Sequence, residues 1–488
     1  MNKSIKKNYL YNLAYQILIL IVPLFTTPYL SRTLGAEAIG IYSYTLSIAT
    51  YFILFGSLGV AMYGQREIAY VQDNKYQRSK ILFEILIMRF ITLGCSLLIF
   101  YMTFCTKGEY STYYKILTLE IIANILDISW FFQGLEEFKK TVLRNIIVKI
   151  ISVISIFILV KSPDDLNKYY FIYVLSTLFG NISLWFYLPK YIEKIKIKNL
   201  KIFKHLKPTI GLFIPQIAMQ IYTVLDKTMI GVIVTDKSEV GFYEQAQKIV
   251  KLLLTIATSL GTVIVPRMAN AFANGDKKKL KKYINKSFNF VLLLAFPLMF
   301  GIIGVSNKFV PVFYGEGYDK VSDLIKICSP IIVFIGMSNI IGMQFLLPTK
   351  RQKEFTISVT AGAIINLVLN LILIRFWKSV GASIATVIAE LCVTVIQCYL
   401  VRKEISIMDV IVMVKNYFIA SAIMFIVIDP IGKIISNNII SVVVQTTIGI
   451  IMYSLILIIM KDKMFLDGIK LTKNYINKYL NYVRKVEL

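Results

Sequence analysis

The sequence is poor in the residues from which many catalytic and metal sites are built. It has five cysteines in 488 residues, and none of them stands in a CxxC pair. Disulfide frameworks and thiolate metal sites therefore have little support. The single histidine, His205, argues against a histidine-based metal centre. Because His205 stands among lysines, we expect it to be an ordinary exposed residue.

Charged residues are also scarce. They make up 17% of the chain, against 57% hydrophobic residues, and the mean hydropathy is +0.67. A soluble protein of this length would show many charged faces, whereas here apolar runs of about 20 residues recur, long enough to cross a bilayer. The runs are continuous rather than alternating, which favours helices over a barrel. We therefore predict an all-α polytopic membrane protein.

Fourteen membrane-spanning helices are predicted from these runs. The basic start and long apolar run of the first 25 residues lack a small-residue cleavage site, so we interpret them as an uncleaved first span. The predicted spans lie near residues 10–30, 38–62, 81–105, 113–133, 142–160, 167–189, 209–233, 239–266, 287–313, 322–347, 355–374, 380–401, 408–428 and 439–461.

The basic residues show how these spans are oriented. The chain has 54 Lys and Arg against 28 Asp and Glu, a net charge of +26. The basic residues concentrate at the N-terminus, in every second loop and in the C-terminal tail, most of all in segments 190–208 and 267–286. This pattern predicts that both termini are cytoplasmic, and it explains the excess charge without nucleic acid.

The chain contains an internal repeat. "EAIGIYSYTLSI" (37–48) aligns with "SEVGFYEQAQKI" (238–249) at an offset of 201 residues, which places Gly40 on Gly241 and Tyr42 on Tyr243. Both copies begin on the same side of the membrane, so we predict two six-helix lobes related by a parallel repeat.

Five segments follow from the spans, the charge pattern and the repeat. The tail places Phe465, Ile469 and Leu480 on one helical face, which is typical of an interfacial amphipathic helix. The predicted segments are an N-terminal lobe (1–189), a basic cytoplasmic linker (190–208), a C-terminal lobe (209–403), two additional transmembrane helices (404–461) and a basic cytoplasmic tail (462–488).

The motifs of common enzymes do not occur. The sequence has no GxxxxGK[ST] phosphate-binding loop, and no soluble segment is long enough for a nucleotide-binding domain. We expect a carrier rather than an enzyme, with no catalytic residue, cofactor or bound metal.

Polar residues within the predicted spans give the remaining information about function. Each costs free energy when it is exposed to lipid, so it should face a cavity or a partner. Several follow helical spacing, as Glu120, Asn124 and Asp127 do. The candidates for contact with substrate are Arg32, Arg89, Lys149, Gln216, Gln220, Lys227 and Lys251, and those for ion coupling or pairing are Glu120, Asn124, Asp127 and Glu390.

The same residues also have a purely structural interpretation. Polar stripes hold helices together through hydrogen bonds and ion pairs. In particular, Lys149 is predicted to pair with Asp127. Arg32 lies near the outer end of its helix, where it would either meet substrate or extend to lipid headgroups.

Several segments resemble a known family. "LFTTPYLSRTLGAEAIGIYSYTLS" followed by "GSLGVAMYGQREIA", and later "QGLEEFKKTVLRNIIVK" and "GTVIVPRMANAF", resemble polysaccharide flippases of the Wzx type in the MOP exporter superfamily. The resemblance implies two six-helix lobes and translocation of undecaprenyl-pyrophosphate-linked oligosaccharide across the bacterial cytoplasmic membrane by alternating access. It further implies an H⁺ or Na⁺ gradient as energy source, and a polysaccharide polymerase and chain-length proteins as partners.

Two related functions remain open at this point. A multidrug and toxin extrusion (MATE) antiporter would use Glu120 or Asp127 as its proton or sodium site. A lipid II flippase for peptidoglycan would share the flippase mechanism. The charged residues deeper in the predicted spans are balanced in number and do not indicate the charge of the substrate; they are the acids Glu84, Glu120, Asp127, Asp226 and Glu390 and the bases Arg89, Lys149, Lys227, Lys248 and Lys251.

Overall fold

The described part of the chain is mostly α-helical and contains no strand. The computed structural model describes residues 5–259 and 261–486, with side chains except at 5–14, 16, 197, 212, 214–223, 262, 263, 407 and 475–486. The helices are α1 (Ile5–Ser57), α2 (Val60–Tyr70), α3 (Lys75–Phe100), α4 (Ser111–Ile125), α5 (Ser129–Gly134), α6 (Phe138–Leu159), α7 (Leu166–Trp185), α8 (Leu206–Ile233), α9 (Ser238–Thr258), α10 (Gly261–Ala273), α11 (Lys277–Tyr314), α12 (Asp319–Cys328), α13 (Ile331–Asn339), α14 (Gln352–Leu400), α15 (Ile407–Ile434), α16 (Asn438–Ile459) and α17 (Lys463–Val486).

The prediction of a polytopic helical membrane protein is confirmed. Ten segments of the described chain are long and apolar enough to cross a membrane. Two of them contain a kink, where the backbone leaves helical geometry at Gly35 (φ 81°) within α1 and at Lys378 (φ 51°) within α14. The count of fourteen spans stays a prediction.

Helix ends follow local chemistry. The side chain of Asn74 accepts the amide of Gln77 at 3.0 Å and so begins α3, and Asp276 begins α11 by accepting the amide of Lys279 at 2.9 Å. Asn437 does the same for α16. Such caps satisfy amides that have no partner inside the first helical turn.

Several predicted spans are interrupted in the structure, among them that at 38–62, which is divided between α1 and α2. The span at 113–133 is divided between α4 and α5, and that at 239–266 between α9 and α10. The span at 322–347 consists of α12, α13 and a π-helical turn at Ile340–Leu346. Hydropathy alone does not reveal such breaks, because the residues on both sides remain apolar.

Contacts divide the chain into two compact units, residues 1–244 and 245–488. The first has a core centred on Trp130, Phe131 and Phe132, all fully buried, and a second cluster of α1, α4 and α7 residues. The second unit has one core, in which α11 packs with α13, α15 and α16. The predicted boundaries of the lobes, 1–189 and 209–403, stay a prediction.

Two glycines of the predicted repeat meet within the first unit. A Cβ added to Gly40 would overlap the carbonyl oxygen of Lys237, and one added to Gly241 would overlap that of Ala36. These Cβ positions lie 3.1 and 3.2 Å from the backbone nitrogen of the opposite glycine. Ala36 and Lys237 are separated by the same 201 residues as the glycines. The contact is therefore reciprocal, as a local two-fold axis between equivalent positions requires.

Because both glycines touch backbone atoms, neither has room for a side chain. We expect Gly40→Ala and Gly241→Ala each to lower the apparent Tm of the purified protein by several degrees, since overpacking costs about 1–3 kcal/mol. Gly94→Ala is the matched control, because a Cβ there meets nothing within 4 Å. Equal melting curves for all three variants would contradict the close contact.

His205 is buried, so the prediction of an exposed residue was wrong. Its side chain is 2% exposed. The ring Nε2 lies 2.8 Å from the Glu84 carboxylate, and the hydroxyl of Tyr63 lies 2.7 Å from Nδ1. These contacts fit a neutral ring that donates from Nε2 and accepts at Nδ1. Burial lowers the pKa of His205 below its ordinary value.

Glu84 is the centre of this network and holds the basic segment 190–208 in place. Its fully buried carboxylate also accepts the amide of Lys201 at 2.7 Å and pairs with the Lys204 ammonium at 2.8 Å. At the other end of the segment, Arg78 Nε donates to the carbonyl of Tyr191 at 2.7 Å. The linker predicted from its charge is thus docked on α3 at two points.

Loss of the Glu84 charge should release the linker. We expect Glu84→Gln to speed tryptic cleavage within 190–208 by roughly tenfold or more, because the mutation leaves buried donors without their charged acceptor. Glu193→Gln, an exposed substitution in the same linker, should cleave at the wild-type rate. Unchanged cleavage of the Glu84 variant would show that docking does not depend on this carboxylate.

Candidate functional site

The break between α4 and α5 brings polar groups together inside an apolar segment of the first unit. Helix α4 ends at Ile125 and α5 begins at Ser129, within a segment (Ser111–Gly134) that is apolar enough to cross the membrane. Several carbonyls at the end of α4 and in the turn after it lack the backbone partners that a continuing helix would supply. In a hydrocarbon environment each of them needs another donor.

Side chains from three helices supply those donors. Asn181 Nδ2, on α7, donates to the carbonyl of Ala123 at 2.7 Å. Trp185 Nε1 donates to that of Leu126 at 2.7 Å. The carbonyl of Asp127 accepts from Trp130 Nε1 and from Arg89 Nη1, both at 3.2 Å. The break is thus a specified feature of the fold rather than a fraying of the helix.

Two arginines lie next to the break. Arg89, on α3 and 3% exposed, places Nη2 3.8 Å from the Asp127 carboxylate. Arg144, on α6, donates from Nη1 to Asn181 Oδ1 at 2.7 Å and also has Asp127 as a charged neighbour. We call Arg89, Arg144 and Asp127 the arginine cluster.

The arginine cluster has hydrogen-bond donors that no described residue uses. The buried Nε atoms of Arg89 and Arg144 have no hydrogen-bond partner among the described residues. Asp127 is the carboxylate shared by both arginines, and its Oδ1 also accepts the amide of Ser129 at 2.9 Å. Guanidinium groups offer planar, paired donors that match phosphate oxygens. The cluster therefore has the chemistry of an anion site.

Asn124 and Glu120 lie about one and two helical turns before Asp127, on α4. Asn124 donates to the carbonyl of Glu120 at 2.9 Å, so its amide is used locally. The Glu120 side chain is 6% exposed, faces the Thr177 hydroxyl, and leaves Oε2 without a hydrogen-bond partner among the described residues. The predicted stripe of Glu120, Asn124 and Asp127 on one continuous helix is wrong at Asp127, because α4 ends before it.

The predicted pairing of Lys149 with Asp127 was also wrong. Asp127 pairs with Arg89, while Lys149 is exposed on α6 and forms no ion pair with a described residue. The physical reason is the helix break, which turns Asp127 toward the short helix α5 and the arginines. An ammonium on the exposed face of α6 does not reach it.

The remaining candidates do not join the arginine cluster. Arg32 is exposed on α1, and Lys227 pairs with Glu244 at 2.8 Å. In the second unit, Lys251 is exposed and Glu390 is buried in α14. The side chains of Gln216 and Gln220 lie outside the described residues.

Sequence reasoning missed Arg144, Asn181 and the two tryptophans of the break. Trp130 and Trp185 are two of only three tryptophans in the chain. An indole N–H in an apolar segment needs an acceptor, so a pair of tryptophans in neighbouring spans was a usable sign of free carbonyls.

The second unit contains a cavity of a different character. It has a volume of about 420 Å³ and lies among α11, α15 and α16. Its lining is almost entirely apolar, with Leu294, Leu298 and Ile450 among the side chains and Gly301 and Gly449 leaving space. Such a cavity suits a hydrocarbon chain rather than a sugar or an ion.

A double-mutant cycle tests the pairing of Arg89 with Asp127. We expect Arg89→Gln and Asp127→Asn each to lower the apparent Tm, because each leaves one buried or half-buried charge unpaired. The double variant should lose less than the sum of the two.

Lys149→Gln should leave the melting temperature unchanged and serves as the control for charge removal in a span. Additive losses in the Arg89–Asp127 cycle would show that the two residues do not interact.

Ten apolar segments, a discontinuous helix and buried charge together define a multi-pass helical membrane protein of the carrier type. Residues 5–272 match the family described as "Polysaccharide biosynthesis protein", and the chain belongs to this family. Residues 212–396 also match the MatE family.

Curated relatives agree with this assignment. The chain is 26% identical over 408 residues to a putative O-antigen transporter of Escherichia coli (strain K12), an alignment that covers 82% of this chain and 97% of the relative. It is 23% identical over 397 residues to the probable low-salt glycan biosynthesis flippase Agl15 of Haloferax volcanii, covering 78% and 79%.

A solved structure shares the fold. The inward closed conformation of the lipid II flippase MurJ superposes with a TM-score of 0.76 at 20% identity, covering 93% of this chain and 99% of the other. This likeness confirms the all-α membrane-protein fold expected from the sequence.

Proposed function

We propose that the protein is a flippase that moves lipid-linked oligosaccharide across the bacterial cytoplasmic membrane for polysaccharide synthesis. The observation that carries the proposal is the relationship to an O-antigen transporter along nearly the whole length of both chains. Undecaprenyl pyrophosphate is the proposed lipid carrier. The oligosaccharide attached to it would pass from the cytoplasmic to the outer leaflet by alternating access. The protein would act as a carrier without catalysing a covalent step.

The arginine cluster is the proposed contact for the pyrophosphate. Arg89 and Arg144 hold Nε donors that no described residue uses, and they share one carboxylate between them. A pyrophosphate has several oxygens that accept such donors. Asp127 would hold the guanidinium groups in place before substrate arrives and release them in part when it binds.

The apolar cavity in the second unit is suited to hydrocarbon. Its volume of about 420 Å³ and its lining of aliphatic side chains fit a short stretch of polyprenyl chain.

Orientation and energy source belong to the same proposal. The excess of lysine and arginine in alternate loops supports cytoplasmic termini. Buried Glu120, with one carboxylate oxygen unused by the described residues, is the proposed site for a coupling H⁺ or Na⁺. A polysaccharide polymerase and chain-length proteins are the proposed partners in the membrane.

Deletion of the gene in its own host tests the function. We expect loss of surface polysaccharide and accumulation of lipid-linked repeat units that an impermeant reagent cannot reach from outside the cell. Wild-type protein should restore both, whereas Arg144→Gln should lower surface polysaccharide by roughly tenfold, because a charge-assisted hydrogen bond contributes about 1.5–3 kcal/mol. Arg66→Gln, which removes a surface arginine paired with Glu67, is the matched control.

The same strain separates the two related functions. Intact surface polysaccharide with accumulated lipid II would assign the protein to peptidoglycan synthesis. Intact polysaccharide with increased sensitivity to organic cations would assign it to drug export. Either result would overturn the proposal.

A further inference from the structure

A second cavity lies at one end of the helices of the second unit and differs from the apolar one in charge. It has a volume of about 440 Å³ and is formed where α11 begins, next to the loops that precede and follow α14. Lys277, Lys281 and Lys403 line it, together with the apolar side chains of Phe272, Ile284 and Phe345. Several residues that line this cavity come from segment 267–286, one of the segments richest in basic residues.

The carboxylates around this cavity are already engaged. Glu404, in its wall, lies 3.1 Å from Arg351 Nη1, and Arg351 also pairs with Glu354. Asp276, next to the cavity, pairs with Lys279 at 2.8 Å and begins α11. The acidic residues therefore do not compensate the three lysines.

The three lysines keep their charge available. Lys277, Lys281 and Lys403 are exposed, and none of them forms an ion pair with a described carboxylate. Three ammonium groups facing one cavity attract an anion, and mutual repulsion disfavours the empty arrangement. A neutral ligand would leave this charge unbalanced.

The floor of the cavity is apolar. Ile284 and Phe345 are buried in it, and Phe272 is 38% exposed at its edge. An inorganic anion would gain nothing from this surface, whereas an amphiphile would cover it with the first carbons of its acyl chains. A basic rim over an apolar floor is thus complementary to a charged lipid headgroup and the chain attached to it.

We propose that this cavity binds an anionic phospholipid of the leaflet at this end of the second unit. The phosphodiester would lie among Lys277, Lys281 and Lys403, and the glycerol and upper acyl carbons would rest on Phe272 and Phe345. Phosphatidylglycerol supplies the net negative charge that the site lacks, and phosphatidylcholine does not. The site is independent of the proposed flippase function.

Lipid binding to the full-length protein in neutral detergent tests the proposal. Titration with phosphatidylglycerol, followed by native mass spectrometry and by the apparent Tm, should show saturable binding and stabilisation. Phosphatidylcholine with the same acyl chains should give neither. The variant Lys277→Gln/Lys281→Gln/Lys403→Gln should bind phosphatidylglycerol about fivefold more weakly for each lysine removed.

A matched variant distinguishes a built site from diffuse surface charge. Lys278→Gln/Lys282→Gln/Lys286→Gln removes three exposed lysines of the same helix that do not line the cavity, and it should bind as the wild type does. Equal weakening in the two triple variants would overturn the proposal. If the cavity variant does not fold, Lys403→Glu in the exposed loop gives the same comparison.

Competition identifies the ligand. Inorganic phosphate or pyrophosphate at the concentration of the lipid should not displace phosphatidylglycerol, and displacement would show that the site is a simple anion site. Undecaprenyl pyrophosphate is the second competitor. If it binds more tightly than phosphatidylglycerol, and if the triple variant of Lys277, Lys281 and Lys403 abolishes that binding, the site belongs to a transport substrate. That result would overturn the proposal.

Discussion

Hydrocarbon offers no hydrogen bonds, and this constraint organises the first unit of the protein. A break in a helix inside an apolar segment exposes carbonyls that water does not reach. The chain meets this requirement between α4 and α5 with an amide, two indoles and a guanidinium drawn from α3, α5 and α7. Once those donors are fixed, the position of Asp127 is fixed as well, and with it the meeting of Arg89 and Arg144.

The same constraint explains what could be predicted from the sequence. Apolar length gives the helices, and the distribution of lysine and arginine gives a hypothesis of orientation. The predicted repeat includes Gly40 and Gly241, and neither position has room for a side chain. These features depend on local composition or on identity at a fixed spacing, and a single sequence displays both.

The contacts between side chains of different helices could not be predicted in this way. Asp127 has basic residues before and after it in the chain, and nothing local to it distinguishes its partner Arg89 from Lys149. His205 was misjudged because its neighbours in sequence are lysines, whereas its neighbours in space are Glu84 and Tyr63. In both cases the decisive partner comes from a distant helix.

The reciprocal glycine contact has a consequence for how the chain can change in evolution. Each glycine faces the backbone beside its counterpart, so enlarging either residue affects both copies of the repeat at once. Two positions that are far apart in the gene therefore behave as a single position under selection. In a chain formed by duplication, most positions of the two copies can diverge. These two positions cannot be enlarged independently of each other.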